Sequence, residues 1–397
     1  MTKIPIKVPD FESHDRYYYI NNTFYFIDND IESPYIYYIE IEDVYYFKTH
    51  SDVGFSNLNE TIKNDVRNGK CSIVMYARDE GIFGSEINWE LETLDSWIIS
   101  ENFPHGSVHF ICMNLLISES VKKNNFNIIG YPTSYNSETY LMLPYSNEDS
   151  FYDVGISEYP KLFLSYNKSN QFTYRIYLML SLIKNKLVDS GLVSFSKHLK
   201  RSNLEHFIGN HPYNVFDEDV INTYNKITPM YIDDILPNEL DDDLNTCKGY
   251  EEFNGDIFGQ GLFLKHYSNS FLSLVSETLV LKDTVYLSEK TFKPIAMGHP
   301  FISISSRGTL KKIKELGYKT FDRWWDESYD ECDEFNDRID SVMHILNELN
   351  QKSNIELINM RKDMLDILIH NQKLYLERRQ SEDSMNSIMV EIHNNML

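Results

Sequence analysis

The stretch that most constrains this fold runs from Leu274 to Phe321: LVSETLVLKDTVYLSEKTFKPIAMGHPFISISSRGTLKKIKELGYKTF. Leu274-Val275 is a short apolar run ending in Ser276-Glu277-Thr278, as a buried strand does at its carboxyl end. Ser288 is a good helix N-cap, with Glu289 in the favourable first turn, Gly298 as the residue past the helix and Pro300 barring its continuation. Pro300 to Ile304 reads as the next buried strand. Thr309 then caps a helix carrying Leu310, Ile313 and Leu316, closed by Gly317, and Thr320-Phe321 opens a third strand. Strand, helix, strand, helix, strand is half of a doubly wound parallel sheet.

Sheets of this kind bind ligands beyond the carboxyl ends of their strands, where helix N-termini offer N–H groups to anions. Ser288, Glu289, Lys290 and Thr291 fall at such an end. A carboxylate beside an ammonium suits a nucleotide diphosphate: Glu289 accepts from ribose hydroxyls while Lys290 faces phosphate. The bland alternative is an ordinary exposed first turn, since capped helices with early acidic residues are common.

The same grammar recurs upstream. TFYFIDND and YIYYIEIEDVYYF read as strands, CSIVMY (Cys71 to Tyr76) as a buried one, Glu86 to Ile99 as a helix, and Val108 to Leu116 and Asn127 to Gly130 as further strands. CSIVMY runs into Ala77-Arg78-Asp79-Glu80-Gly81, a charged lip at a strand's carboxyl end. Residues 131 to 160 lack periodicity and read as the connection between two domains. Leu162 to Tyr166 then opens the second domain. Its following helix is lined by Ile176, Leu180, Ile183 and Leu187, ended by Gly191, with Leu192 to Phe195 returning as strand. Residues 202 to 260 read as loop-rich and acidic, and from Asn336 the chain is helical.

Two blocks carry a family resemblance. SEKTFKPIAMGHPFI, with GTLKKIKELGYKTF and DRWWDESYD after it, resembles the C-terminal block of glycosyltransferases predicted in tailed phages and large DNA viruses. LFLSYNKSNQFTYRIYLMLSLIKNKLVDSGLVSFS (Leu162 to Ser196) resembles that family's donor-domain opening. More distantly, Glu289-Lys290 resembles the nucleotide-binding Glu-Lys pair of α-1,3-fucosyltransferases. The resemblance implies an α/β, GT-B-like fold of two Rossmann-like domains facing across a cleft. Residues 1–155 would form the acceptor domain, 156–335 the nucleotide-sugar donor domain and 336–397 helices packed on the latter. It also implies a donor loop of the form Asn-Arg, then Arg, then His-Arg. This chain keeps Asn167, has Lys168 for the first arginine and retains Arg175, but has Gln171 and Tyr174 where other basic groups would fall. Donor binding is thereby assigned to Asn167, Lys168, Arg175, Ser288, Glu289, Lys290 and Thr291. On this plan Asp79 or Glu80 is the catalytic base, with His105 next and His109 behind it.

Composition narrows the partners. Lys+Arg 37 against Asp+Glu 60 gives a formal charge of −23, which opposes nonspecific binding to nucleic acid or anionic membrane. A polyanionic acceptor would need a local basic patch: Lys184, Lys186, Lys197, Lys200 and Arg201, or Lys311, Lys312, Lys314 and Lys319. Cys71, Cys112, Cys247 and Cys332 lack metal-ligand spacing and read as reduced. Asp28-Asn29-Asp30 mimics a metal-binding Asp-x-Asp but is a common acidic turn. No metal is assigned. The absence of a long apolar run or signal-peptide core makes a cytoplasmic location the expectation, host cytoplasm if the chain is viral.

The resulting expectation is a metal-independent hexosyl- or pentosyltransferase of phage type with no bound cofactor. It moves sugar from a UDP- or GDP-linked donor, as co-substrate, to a hydroxyl, with a hydroxymethylated DNA base as one acceptor. A carbohydrate or protein acceptor is the alternative. So is an inactive sugar-binding or virion-associated relative, distinguished by turnover of a nucleotide sugar.

Overall fold

The computed structural model describes residues 4–7, 24–26, 34–41, 58–77, 88–117, 124–131, 158–167, 173–195, 216–228, 230, 232, 264–278, 280, 284–380 and 385–397. The chain forms two compact units. The first comprises Met1–Ser137, Leu281–Ser288 and Glu377–Leu397; the second comprises Glu138–Val280 and Glu289–Leu376.

In the first unit, strands β1 (Ile4–Lys7), β2 (Phe24–Phe26), β3 (Tyr35–Ile41), β4 (Cys71–Ala77), β5 (Val108–Cys112) and β6 (Asn127–Gly130) make one parallel sheet. Its order is β2-β1-β3-β4-β5-β6. Winding reverses between β1 and β3, the mark of a doubly wound sheet. Alternation sorts the side chains to two cores. Tyr35, Tyr37, Ile39, Ile73 and Met75 join Ile62 and Val66 of α1 (Glu60–Arg67) and Leu91, Leu94 and Ile98 of α2 (Asn88–Ser100). Ile6, Ile36, Tyr38, Val74 and Ile111 meet Met389 and Ile392 from the far end of the chain instead. The expected strand from Val108 to Leu116 ends at Cys112, because Leu115 N–H donates to Val285 O and Leu116 N–H to Asn114 Oδ1. Burial pushes the Cys71 and Cys112 thiols up to about 12, so both stay protonated and unreactive.

The second unit repeats the plan. Strands β7 (Lys161–Asn167), β8 (Gly191–Phe195), β9 (Ser270–Ser276) and β10 (Phe301–Ile304) lie parallel in the order β10-β9-β7-β8, so winding reverses between β7 and β9. Helix α3 (Thr173–Lys184) links β7 to β8, and α4 (Glu218–Ile227) and α5 (Leu264–Ser268) lie between β8 and β9. Helix α6 (Glu289–Ala296) links β9 to β10, and α7 (Thr309–Glu315) follows β10. Helices α8 (Phe335–Asn350), α9 (Asn354–Asp363), α10 (Leu365–Gln380) and α11 (Met385–Asn394) complete the chain. The Phe335 ring at the start of α8 sits 5.9 Å from Tyr177 and 6.1 Å from Tyr174 of α3, seating α8 on that helix.

Four expectations are corrected. Gly191 does not stop α3, which ends at Lys184, with Lys186 at φ 58 turning the chain. Gly191 opens β8, where a Cβ would collide with the Phe163 ring. Gly308, at φ 79, rather than Thr309 caps α7, and the Asp330 carboxylate takes the N–H groups of Leu310 and Lys311 at 3.0 and 3.2 Å. Thr320-Phe321 starts no strand, since Glu327 accepts from Phe321 N at 2.7 Å and from Thr320 Oγ1 at 2.6 Å. Finally, α4 interrupts the stretch read as loop, its N-cap Asp217 accepting from Val220 N at 2.9 Å. The two adjacent tryptophans divide: Trp325 is buried against Phe321, ring centroids 5.2 Å apart, while Arg323 lies over the Trp324 ring.

Candidate functional site

Chemistry gathers at the carboxyl end of β9, beside the reversal of winding. Ser276 is the strand's last residue, and Glu277 and Thr278 follow it. Glu277 is wholly buried. One carboxylate oxygen accepts from Thr291 Oγ1 at 2.5 Å, and the other accepts from Thr278 N at 3.1 Å. Its backbone carbonyl accepts from Tyr174 OH at 2.6 Å and from Arg175 Nη2 at 3.4 Å. Thr278 O accepts from the same tyrosine hydroxyl, and Thr278 Oγ1 accepts from Lys290 Nζ at 3.0 Å. A two-residue segment thus ties the first turn of α3 to the first turn of α6.

The sheet dictates this meeting. In a parallel unit every helix after a strand begins at the carboxyl edge, so Tyr174, Arg175, Lys290 and Thr291 are delivered to one rim. Arg175 is almost fully buried, with its guanidinium 5.7 Å from the Tyr174 ring centroid. Lys290 is partly exposed. Two cations in this position suit an oxyanion, while the Tyr174 and Thr291 hydroxyls spend their protons on Glu277 and Thr278.

Of the residues expected to bind a donor, Arg175, Lys290 and Thr291 come together here. Asn167 ends β7, the strand beside β9, and is 2% exposed. Glu289 opens α6, but its side chain lies outside the described residues. Ser288 directly precedes α6 and is buried, and by its contacts it belongs to the first unit. Lys168 lies outside the described residues, as do Asp79, Glu80, Asp28-Asn29-Asp30 and Cys247. Asp79 and Glu80 follow Ala77, the last residue of β4, in the chain.

His105 is exposed and precedes β5, at the amino edge of the first sheet, opposite the edge where β4 ends. His109 is buried on β5 against Asn127, at 3.2 Å, and burial lowers its pKa to about 4, which marks a structural imidazole.

Sequence reasoning does not single out Glu277, Thr278 or Tyr174 as site residues; the available signal is that Glu277 and Thr278 close an apolar run just after Ser276, and that Tyr174 stands where the resemblance expects a basic group. Three lysines of the second candidate basic patch, all on α7, pair with carboxylates. Lys312 pairs with Glu315 at 2.9 Å, Lys311 with the same carboxylate at 3.8 Å, and Lys314 with Asp322 and Glu327 at 3.1 and 3.2 Å. Among the described residues no three His, Cys, Asp or Glu side chains gather as metal ligands, and no helix is long and apolar enough to cross a membrane.

No family model matches the chain, and no curated protein does. Among solved structures, a Glycosylation Associate Protein (Gap123) complex from Streptococcus agalactiae is similar at 9% identity with a TM-score of 0.35. The match covers 93% of this chain and 56% of that one, so this chain spans little more than half the length of that protein. A likeness this slight carries no argument about the site.

Proposed function

We propose that this protein is a GT-B-type glycosyltransferase of the phage and large-virus kind. The second unit holds a nucleotide-sugar and the first carries the acceptor. The observation that carries the reading is the joining of Arg175, Tyr174, Thr278 and Lys290 at the reversal point of a parallel sheet, the place where such sheets take phosphorylated ligands. The Lys290 ammonium and the Arg175 guanidinium neutralise the diphosphate leaving group, and the N–H groups of the first turn of α6 add to that charge.

Sugar transfer breaks the bond from the anomeric carbon to the diphosphate oxygen and forms one to the acceptor hydroxyl oxygen. A carboxylate takes the hydroxyl proton. Asp79 and Glu80 are the candidates, being the first carboxylates in the chain after β4 ends, and Glu80 has the longer reach. The acceptor is a hydroxyl-bearing molecule. Three lysines of one candidate basic patch are paired with carboxylates, so a modified-DNA acceptor at that patch would compete with those ion pairs, and a carbohydrate or protein hydroxyl is the alternative.

The test is ligand-dependent stabilisation. A donor that binds only the native state raises the melting temperature. UDP- or GDP-linked sugars are expected to do so with wild type, and Lys290→Ala should weaken their binding by about 1.5–3 kcal/mol, the loss of a hydrogen bond to a charged group. Equal affinity in a folded Lys290→Ala protein would refute the assignment.

A further inference from the structure

At the carboxyl ends of β7 and β9 two polar atoms stand without hydrogen-bond partners among the described residues. Asn167 and Ser276 are each 2% exposed, yet Asn167 Oδ1 and Ser276 Oγ make no hydrogen bond among the described residues. Buried polar groups in native proteins are nearly always paired, so two such atoms on adjoining strand ends ask for a cause.

The register sets them side by side. β7 and β9 pair through Phe163↔Leu272 and Leu164↔Ser273. Continued at that offset, Asn167 falls beside Ser276, and both project from one face of the sheet because side chains alternate along a strand. Each is the last residue of its strand, on either side of the winding reversal.

Their chemistry is neutral. Asn167 Nδ2 donates to Ser165 Oγ at 3.0 Å and its backbone N to Ser194 Oγ at 3.2 Å, leaving the amide oxygen as the unmet atom. An amide oxygen repels a phosphate oxygen, since both only accept. The Glu277 carboxylate, next in the chain after Ser276, opposes a second anion as well. A hydroxyl group both donates and accepts, so it answers an amide oxygen and a serine hydroxyl together.

We propose that Asn167 and Ser276 form a neutral subsite that hydrogen-bonds a sugar hydroxyl of the nucleotide-sugar, while Lys290 and Arg175 hold its diphosphate. The subsite rests on the donor reading above and divides that ligand between charged groups and neutral strand-end groups. A site built to hydrogen-bond a hydroxyl discriminates strongly against a ligand that lacks one.

Calorimetric titration of wild type, Ser276→Ala and Asn167→Leu tests this with UDP-glucose, GDP-mannose, UDP, GDP and inorganic pyrophosphate. Ser276→Ala deletes one oxygen with little change of shape, and unchanged melting of the unliganded variant shows that it folds. Each variant is expected to lose about tenfold in affinity, the worth of one hydrogen bond, for a sugar-bearing probe, with pyrophosphate binding unaltered. A loss confined to UDP-glucose or GDP-mannose identifies the transferred sugar; a loss shared with UDP or GDP identifies the ribose. Unchanged affinities in folded Ser276→Ala, or an equal loss for pyrophosphate, would overturn the subsite while leaving the donor reading intact. Failure of wild type to bind any probe would overturn both.

Discussion

Replacing Glu277 by alanine should loosen the second unit at the point where α3, β9 and α6 meet. Glu277 is wholly buried, and its carboxylate accepts from Thr291 Oγ1 and from Thr278 N. A hydrogen bond to a charged group contributes about 1.5–3 kcal/mol, so independent loss of both would cost roughly 3–6 kcal/mol. The two bonds share one acceptor group and therefore are not independent, which places the expected cost near the lower end, about 3–4 kcal/mol. Glu277→Gln is the control. Its amide oxygen can still accept from Thr278 N while its NH₂ donates to the Thr291 hydroxyl, which can reverse its role, so the cost should fall to about 1 kcal/mol. The chain has two compact units, so one global unfolding curve would mix them. Amide exchange of peptides covering Ser270–Ser276 and Glu289–Ala296 reads the effect locally. Faster exchange in both peptides is expected for Glu277→Ala, with near-wild-type protection in Glu277→Gln. Protection unchanged in Glu277→Ala would refute the idea that this carboxylate joins β9 to α6.

Two further outcomes follow from the chemistry. Glu80→Gln should bind nucleotide-sugar as wild type does yet transfer about 10²–10⁴ times more slowly, with Asp79→Asn less affected; single-turnover rates measured beside donor affinity decide this, and normal transfer in both variants would place the base elsewhere. The second outcome concerns pH. His299 is fully buried, its Nε2 donating to Ser270 O and its Nδ1 facing Ser273 Oγ, each at 2.8 Å. Burial, aided by the nearby Arg361 charge, lowers its pKa to about 3. The unfolded chain then binds the proton that the folded one refuses. Stability is full above the unfolded pKa near 6.5 and is lost as pH falls towards about 3, at roughly 1.4 kcal/mol per unit for this group. Denaturation of wild type and His299→Gln between pH 7 and 4 checks this: an equal pH slope in the two proteins would exclude His299 as a source.

Much of this fold is legible because parallel sheets buried on both faces write themselves as short apolar runs, such as CSIVMY, spaced by amphipathic helices, although of β9 only Leu274-Val275 reads as strand. The placement of Arg175 and Lys290 in the first turns of helices that follow strands is partly legible too. What sequence hid were the long-range polar partners. Nothing local told that Asp330 would cap a helix 20 residues earlier, or that Glu327 would take the Phe321 N–H and cancel a strand. Gly191 differs from its sequence reading for a related reason: its need for small size comes from the Phe163 ring of a neighbouring strand, not from its place after a helix. Helix α4 is different, for its signals were present. Asp217, Glu218 and Asp219 precede Val220 and Tyr224 at helical spacing, and the surrounding acidic composition masked them.

The polar residues of the second unit therefore divide by what their side chains hold. In the DRWWDESYD segment and just beyond it, they are committed to backbone groups. Asp326 accepts from Ser328 N, Glu327 from Phe321 N and Asp330 from two N–H groups of α7, while Arg338 donates to the carbonyls of Ser305, Tyr329 and Cys332. Such residues fix where β10 ends and α7 begins, and resemblance across them speaks to scaffold rather than chemistry. At the end of β9 the pattern differs. Backbone carbonyls hold Tyr174 and Arg175, the Thr278 hydroxyl holds Lys290 and one buried carboxylate holds Thr291 at the carboxyl rim, where two strand-end polar atoms are left unmatched among the described residues. A charged side chain bound to its own backbone completes a fold. Cations beside unmatched neutral atoms are the contrast on which the proposed nucleotide-sugar site rests, phosphate answering the first and hydroxyl groups the second.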